Sequence, residues 1–205
     1  MGREMMGGVR VEVVDASEPV ELQVTLGEEL TGNTTVLYPM RTGNNYRSTF
    51  VFEPTVSGAG RVAEHHEYME FRYGEIALLP SVQRAGRKTR APAVPTISVS
   101  TWKVQYPFES TESHFSSSDK MLDRIWELSK NTIAVTSLDT ATDSNTRERT
   151  PYEADTYIAT WSRFYLSSEQ AWPRHSFRFN FRNPTWPTGK QSPVLWTAPY
   201  CVTLR

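Results

Sequence analysis

Cysteine is almost missing from this sequence: Cys201 stands alone in 205 residues. No intrachain disulfide can form, so the fold must rest on packing, and a reducing compartment fits. Long apolar runs are missing too. No stretch approaches the roughly 20 residues of a membrane-spanning helix. Residues 1–10 carry no apolar h-region and no cleavage-like site, so no secretory signal is read there and cytoplasmic residence is expected. The formal net charge is −1. That leaves no electrostatic footprint for nucleic acid or for an anionic membrane. There are no internal repeats, no low-complexity tracts and no glycine-rich phosphate loops. Metal ligands are also scarce. His65 and His66 are adjacent, and in a strand they would face opposite sides. No Cys or His partner sits at ligand spacing, whereas a closed zinc site needs three or four converging ligands. No metal and no other cofactor is expected.

What is present is globular. Hydrophobic residues make up 38% and charged residues 22%, which excludes a disordered chain. The length suits one domain with a sizeable core, or one domain and part of another. Aromatics are frequent, with six Trp, nine Tyr and nine Phe; sugar sites use such rings, but so do ordinary cores.

The first half alternates. Val9, Val11 and Val13 form one set, Val20, Leu22, Val24 and Leu26 another, and Phe50 with Phe52 a third. Met69, Phe71 and Tyr73 read as one more strand, and Ile97, Val99 and Thr101 as the last. Pro19, Gly27, Gly32, Gly43-Asn44-Asn45, Gly58-Ala59-Gly60 and Pro80 punctuate them as turns. The basic, proline-bearing stretch 86–95 reads as an exposed loop. Short strands at this spacing predict a sandwich of antiparallel sheets.

The period changes near Ser113. Ser117 or Ser118 is expected to cap a helix with Asp119 in its first turn. Met121, Leu122, Ile125, Trp126 and Leu128 then form a stripe at helical spacing, read as a packing face. Further on, Tyr157, Ile158, Trp161, Phe164 and Tyr165 predict a buried helix that Trp172-Pro173 ends or interrupts. His175 has the chemistry of a general base, but a packed or hydrogen-bonded histidine is the simpler reading.

Between these helices runs Asp143-Ser144-Asn145-Thr146-Arg147-Glu148-Arg149-Thr150-Pro151-Tyr152-Glu153-Ala154-Asp155. Four carboxylates and two guanidinium groups lie in one short segment beside a tyrosine. Such a cluster is costly to bury unless each charge has a partner, so it is either a solvated face or a site. Thr150, Pro151 and Glu153 read as a capping box that starts a helix, which accounts for Glu153. The remaining residue types suit glycoside hydrolysis. That reaction needs a carboxylic acid on the leaving oxygen and a second carboxylate across the anomeric carbon. Other carboxylates and an arginine can hold hydroxyls, and an aromatic ring can cover an apolar sugar face. The flanking arginines lower the pKa of Glu148, while burial and nearby acids raise it; a general acid needs the second outcome.

The segment resembles the signature of bacterial-type α-L-rhamnosidases, inverting glycoside hydrolases in which Asp-Cys-Pro-x-Arg-(x)-Glu-Arg-x-Gly-Trp-x-Gly-Asp precedes a helix of an (α/α)6 barrel. Asp143, Arg147, Glu148, Arg149 and Asp155 fall on its Asp, Arg, Glu, Arg and final Asp. The resemblance implies Glu148 as general acid and Asp143, Arg147 and Asp155 as residues that hold the rhamnose ring. Tyr152 replaces the tryptophan and keeps an aromatic face. Ser144 and Asn145 replace Cys-Pro, Pro151 the first glycine and Ala154 the second. Glu70-Phe71-Arg72-Tyr73 resembles a late strand of the family's preceding sandwich. The stretch 117–128 resembles its first barrel helix. Trp172-Pro173-Arg174-His175 and Asn183-Pro184-Thr185-Trp186-Pro187-Thr188 resemble segments after the signature.

The expected architecture is α+β and multidomain. An antiparallel β-sandwich over 1–112 is followed over 113–205 by the first helices of an incomplete six-hairpin (α/α)6 barrel. A full barrel needs about a dozen helices, on the order of 200 residues, and 189–205 loses helical periodicity and reads as a non-native tail. The expected function is hydrolysis of terminal α-L-rhamnose from glycosides, in a fragment that lacks the general base and is itself inactive. The alternatives are a non-catalytic carbohydrate-binding sandwich and an inactive remnant. The implied partner is a rhamnoside. Barrel helices without their neighbours would leave apolar faces uncovered, so poor solubility is expected.

Overall fold

Alternating valines set the first strand of the chain, β1 (Met5–Asp15), whose Val9, Val11 and Val13 are buried. The computed structural model describes residues 3–41, 46–54, 61–80 and 94–182, with the side chains of 181 and 182 excepted. The turns at 43–45 and 58–60, most of the loop 86–95, the stretch 183–188 and the tail 189–205 lie outside them. The chain divides into two units, Met1–Val104 and Gln105–Arg205.

The first unit is an antiparallel β-sandwich. β1 is the central strand of one sheet. It pairs with β6 (Arg61–Glu64) and β7 (Met69–Phe71) along one edge and with β9 (Thr96–Lys103) along the other. The second sheet has β2 (Val20–Gly27) between β5 (Tyr46–Phe52) and β8 (Tyr73–Leu78). A small ladder joins β3 (Leu30–Thr31) to β4 (Thr35–Val36). Inward residues of both sheets make one core: Val9, Val11, Val13, Val20, Leu22, Val24, Leu26, Phe52 and Phe71 among them. Each such side chain contributes about 1.5–3 kcal/mol by leaving water.

Two features of this unit depart from the periodic pattern. The expected single strand Met69–Tyr73 is split at Arg72. The Arg72 N–H donates to the carbonyl of Gly27, so Phe71 ends a strand of the first sheet and Tyr73 starts one of the second. His65 fills the gap that β6 and β7 leave along β1. Its backbone N–H donates to the Val9 carbonyl at 3.3 Å, and its ring Nδ1 lies 3.4 Å from the Val9 nitrogen, which donates to it. The Val9 backbone N–H and carbonyl thus keep partners at this edge without a strand. His66 is exposed. Among the described residues no group of three or more His, Cys, Asp or Glu could hold a metal ion.

The second unit holds three described helices: α1 (Lys120–Thr136), α2 (Glu153–Phe164) and α3 (Ala171–Arg182). No described helix is long and apolar enough to cross a membrane. The α1 cap is Asp119 rather than Ser117 or Ser118, because its carboxylate accepts the Met121 N–H at 2.8 Å. Ser117 instead donates its hydroxyl to the Asp119 carbonyl. Lys130 holds the preceding strand of chain to α1 by donating to the carbonyls of Ser110 and Ser113.

Both expected packing stripes are largely uncovered. Met121, Leu122, Ile125 and Leu128 on α1 are exposed, as are Ile158, Trp161, Phe164 and Tyr165 on α2. The buried face of α2 is polar: Thr156, Thr160 and Arg163. Periodicity identified the helices but not the covered side, because two faces of α2 are each continuous. The side that meets α3 is the polar one. Trp172-Pro173 likewise does not end α2. It opens α3, where a first-turn proline lacks only an N–H that no helical bond would use. Glu169 caps that helix by accepting the N–H groups of Ala171 and Trp172.

Arg163 ties the unit together. It is fully buried, donates to the Ser137 hydroxyl at 3.0 Å and to the Pro107 carbonyl at 3.1 Å, and lies 3.7 Å from Glu169. Its guanidinium also sits over Tyr106, Phe108 and Trp172.

Candidate functional site

The segment 143–150 closes on itself. The Asp143 N–H donates to the Thr150 carbonyl at 3.0 Å, and the Thr150 N–H donates back to Asp143 Oδ1 at 2.9 Å. Inside this clamp the Glu148 N–H donates to the Ser144 hydroxyl at 3.1 Å, and the Thr150 hydroxyl donates to the Glu148 carbonyl. Arg149 takes a left-handed φ of 54° between them. Few non-glycine residues do so, and such residues concentrate where the surroundings fix the backbone.

Thr150 therefore does not cap α2. The helix starts at Glu153, with Tyr152 at the cap position and no side-chain cap bond. The expected capping box is lost because the Thr150 hydroxyl and N–H are both spent inside the loop. Asp155 stands in the first turn of α2, and Glu153 beside it.

The loop brings Asp143 and Glu148 into contact. Their carboxyl groups are close enough to act on each other, so the two acids titrate as a pair and not independently. Glu148 is raised above its ordinary range, first by the Asp143 carboxyl and then by desolvation; Arg147 opposes the shift. Burial pushes Asp143 up, but Glu148 and the bonds from the Thr150 and Ser144 N–H groups and the Ser144 hydroxyl outweigh it and leave Asp143 lowered. Of the two, Glu148 is therefore the acid that keeps its proton to the higher pH. Asp155 is raised by desolvation and then by the charge of Asp143. Three acids are coupled through Asp143.

Arg147 donates to Glu148 Oε1 at 2.7 Å while remaining largely exposed. Glu148 is itself 40% exposed at the side chain, so its carboxyl is open to a ligand. Tyr152 is half-buried at the entrance of α2. His175 is exposed on α3, its ring 6.4 Å from that of Phe179, in a surface hollow with Ala171, Arg174 and Arg178; none of the acids lines it.

Ser144 and Asn145 stand out against the expectation. They read as departures from the family's Cys-Pro, yet Ser144 braces Glu148 and Asn145 is buried. The usable signal was a serine four residues before the glutamate, a spacing at which a hydroxyl closes a local turn.

Residues 110–181 match the family model of the bacterial alpha-L-rhamnosidase 6 hairpin glycosidase domain. The match spans the three helices and the acidic loop. The second unit therefore contains part of a glycosidase-family domain, preceded in the chain by an antiparallel sandwich. No curated protein matches the chain.

Proposed function

We propose that this chain carries the acid side of an α-L-rhamnosidase-type glycoside hydrolase site. The observation that supports this most directly is the clamped loop that sets Glu148 beside Asp143, where the neighbouring acid raises the Glu148 carboxyl above its ordinary range. Protonating a leaving oxygen requires a carboxyl that still holds its proton near neutral pH. Glu148 is the general acid in this reading. Asp143 supports that proton and, with Arg147 and Asp155, binds hydroxyls of a terminal rhamnose; Tyr152 covers an apolar face of the ring. Inversion further requires a carboxylate base about 6.5–9.5 Å away to activate water. None of the described residues is assigned to it.

Calorimetric titration with an aryl α-L-rhamnoside tests the reading. The chain binds the sugar saturably; Asp143→Asn and Asp155→Asn weaken binding, and Glu148→Gln retains it. Where hydrolysis is measured, Glu148→Gln abolishes it, and NMR detects the inverted sugar first. Absence of saturable binding, or full hydrolysis by Glu148→Gln, overturns the proposal.

A further inference from the structure

The acidic loop has no regular secondary structure of its own, so something outside it must fix its position. One face of α3 does this. Trp172, Ser176 and Asn180 follow one another at four-residue spacing, and all three are buried. Such a row spans about 12 Å of helix. Trp172 Nε1 donates to the Leu138 carbonyl at 2.8 Å. The Ser176 hydroxyl accepts the Ala141 N–H at 3.1 Å. Asn180 Nδ2 donates to the Thr156 hydroxyl at 2.9 Å. The first two contacts hold the chain just before Asp143; the third holds α2 one residue after Asp155.

We propose that this row is a positioning device for the site, and that Ser176 and Asn180 set the placement of Asp143 relative to Asp155 and, through the loop clamp, of Glu148. The inference rests on the functional reading above. Its geometric content stands apart, because the two ends of the acidic segment are bonded to one rigid helix face. Ser176 is the sharper element. Its hydroxyl is the partner of a buried backbone N–H two residues before Asp143, and such a group is costly to leave unpaired. Asn180 acts from the α2 side. Neither residue reaches the acids themselves; both act through the backbone that carries them. Tight placement of this kind matters, since a displacement of about 1 Å at reacting groups costs up to about 100-fold in rate.

The test uses the 205-residue chain with Ser176→Ala, Ser176→Thr and Asn180→Leu. Carboxyl carbons are followed by NMR titration, and helix content by far-ultraviolet circular dichroism. The groups facing Glu148 are Asp143 and Arg147, with Asp155 acting on Asp143. With Ser176→Ala, Glu148 is expected to fall toward the ordinary carboxylate range and Asp143 to rise toward its own, at unchanged helix content. Ser176→Thr, which keeps the hydroxyl, restores both titrations. Asn180→Leu shifts Asp155 more than Glu148. If Ser176→Ala and Asn180→Leu lower the melting temperature but leave all three titrations in place, the residues are merely structural and the proposal fails. Should Ser176→Ala not fold, Ser176→Cys, a weaker acceptor of similar size, carries the same comparison. These titrations need no sugar. A chain that binds no rhamnoside would sink the functional reading, whereas the positioning role is decided by the carboxyl shifts.

Discussion

Glu148 and Asp143 act on each other's titration, five residues apart in a loop clamped by Thr150, with Glu148 raised and Asp143 lowered. Arg147 sits on the outer oxygen of Glu148 and pulls the other way. Glu148 is raised because Asp143 and desolvation together outweigh the guanidinium.

Replacing Asp143 with Asn therefore lowers the Glu148 pKa. The neighbouring negative charge vanishes and the new amide can donate to the Glu148 carboxylate, which leaves desolvation and Arg147 opposing each other. Asp155 falls as well, since its repulsion by Asp143 is gone. If Glu148 is the acid proposed above, hydrolysis fades as pH rises through its raised range. In Asp143→Asn that alkaline limb moves to lower pH. Carboxyl NMR titration reads the shift without need of turnover.

His65 gives the first unit a pH-dependent stability. Burial lowers its pKa below 6.5, and the Val9 backbone bond only partly offsets this. The folded state favours the neutral ring, so the unfolded chain binds more protons just below pH 6.5. Stability is full above that value and declines as pH falls toward the folded pKa. Urea unfolding between pH 8 and pH 5 should show the decline. His65→Asn, which can place an acceptor where Nδ1 sits, should flatten the curve.

Glu4 acts in the opposite sense. Its pKa rises from 4.5 to about 7 through burial and then through Glu70 and Glu28, with Arg72 opposing. One of its oxygens is buried without a partner. The folded state keeps the proton longer than the unfolded chain, so stability is present below pH 4.5 and is lost as pH rises through about 7. Glu4→Gln should raise stability at pH 8 by about 1–2 kcal/mol, allowing for solvent screening of a half-buried group, with no gain at pH 4. An equal gain at both pH values would contradict this account.

Gly7 has no room for a side chain. A Cβ there would lie 1.9 Å from the Trp102 carbonyl oxygen, which belongs to the paired strand and cannot swing away. Gly7→Ala should cost about 1–3 kcal/mol or more in thermal unfolding. Gly8→Ala meets the Trp102 ring instead, at 2.5 Å. The clash there is with a side chain and not with paired backbone, so the smaller loss is expected.

Arg163→Ala removes a fully buried cation and leaves the Ser137 hydroxyl, the Pro107 carbonyl and Glu169 without it. Glu169 is partly exposed, so the loss comes chiefly from the acceptors left unpaired, about 1–3 kcal/mol each. Circular dichroism should show lost helix with strand signal retained. Arg163→Lys should rescue little, because an ammonium cannot supply the planar fork that meets two acceptors under three aromatic rings.

Several parts of this protein were legible from residue order. Val9, Val11 and Val13, and Val20 through Leu26, alternate so regularly that only a sheet with one buried face accommodates them. The acidic segment was recognisable because its residue types and spacing match a signature, and the family match over 110–181 covers it. Less legible was the covered side of α2. Ile158, Trp161 and Phe164 look inward by period, yet Thr156, Thr160 and Arg163 are the buried set. Hydropathy cannot rank two competing faces when the partner helix, α3, offers hydrogen bonds instead of methyl groups.

The sequence by itself determined most strands, the helices and the gathering of acids into one short segment, because these depend on local period and on neighbours a few residues away. Tertiary structure alone decided that the start of α2 falls at Glu153, that His65 completes a broken strand edge, and that Trp172, Ser176 and Asn180 grip both ends of the acidic segment. Each of these is a hydrogen bond between groups far apart in the chain or withdrawn into a loop. Such bonds form only once folding has brought the partners within about 3 Å.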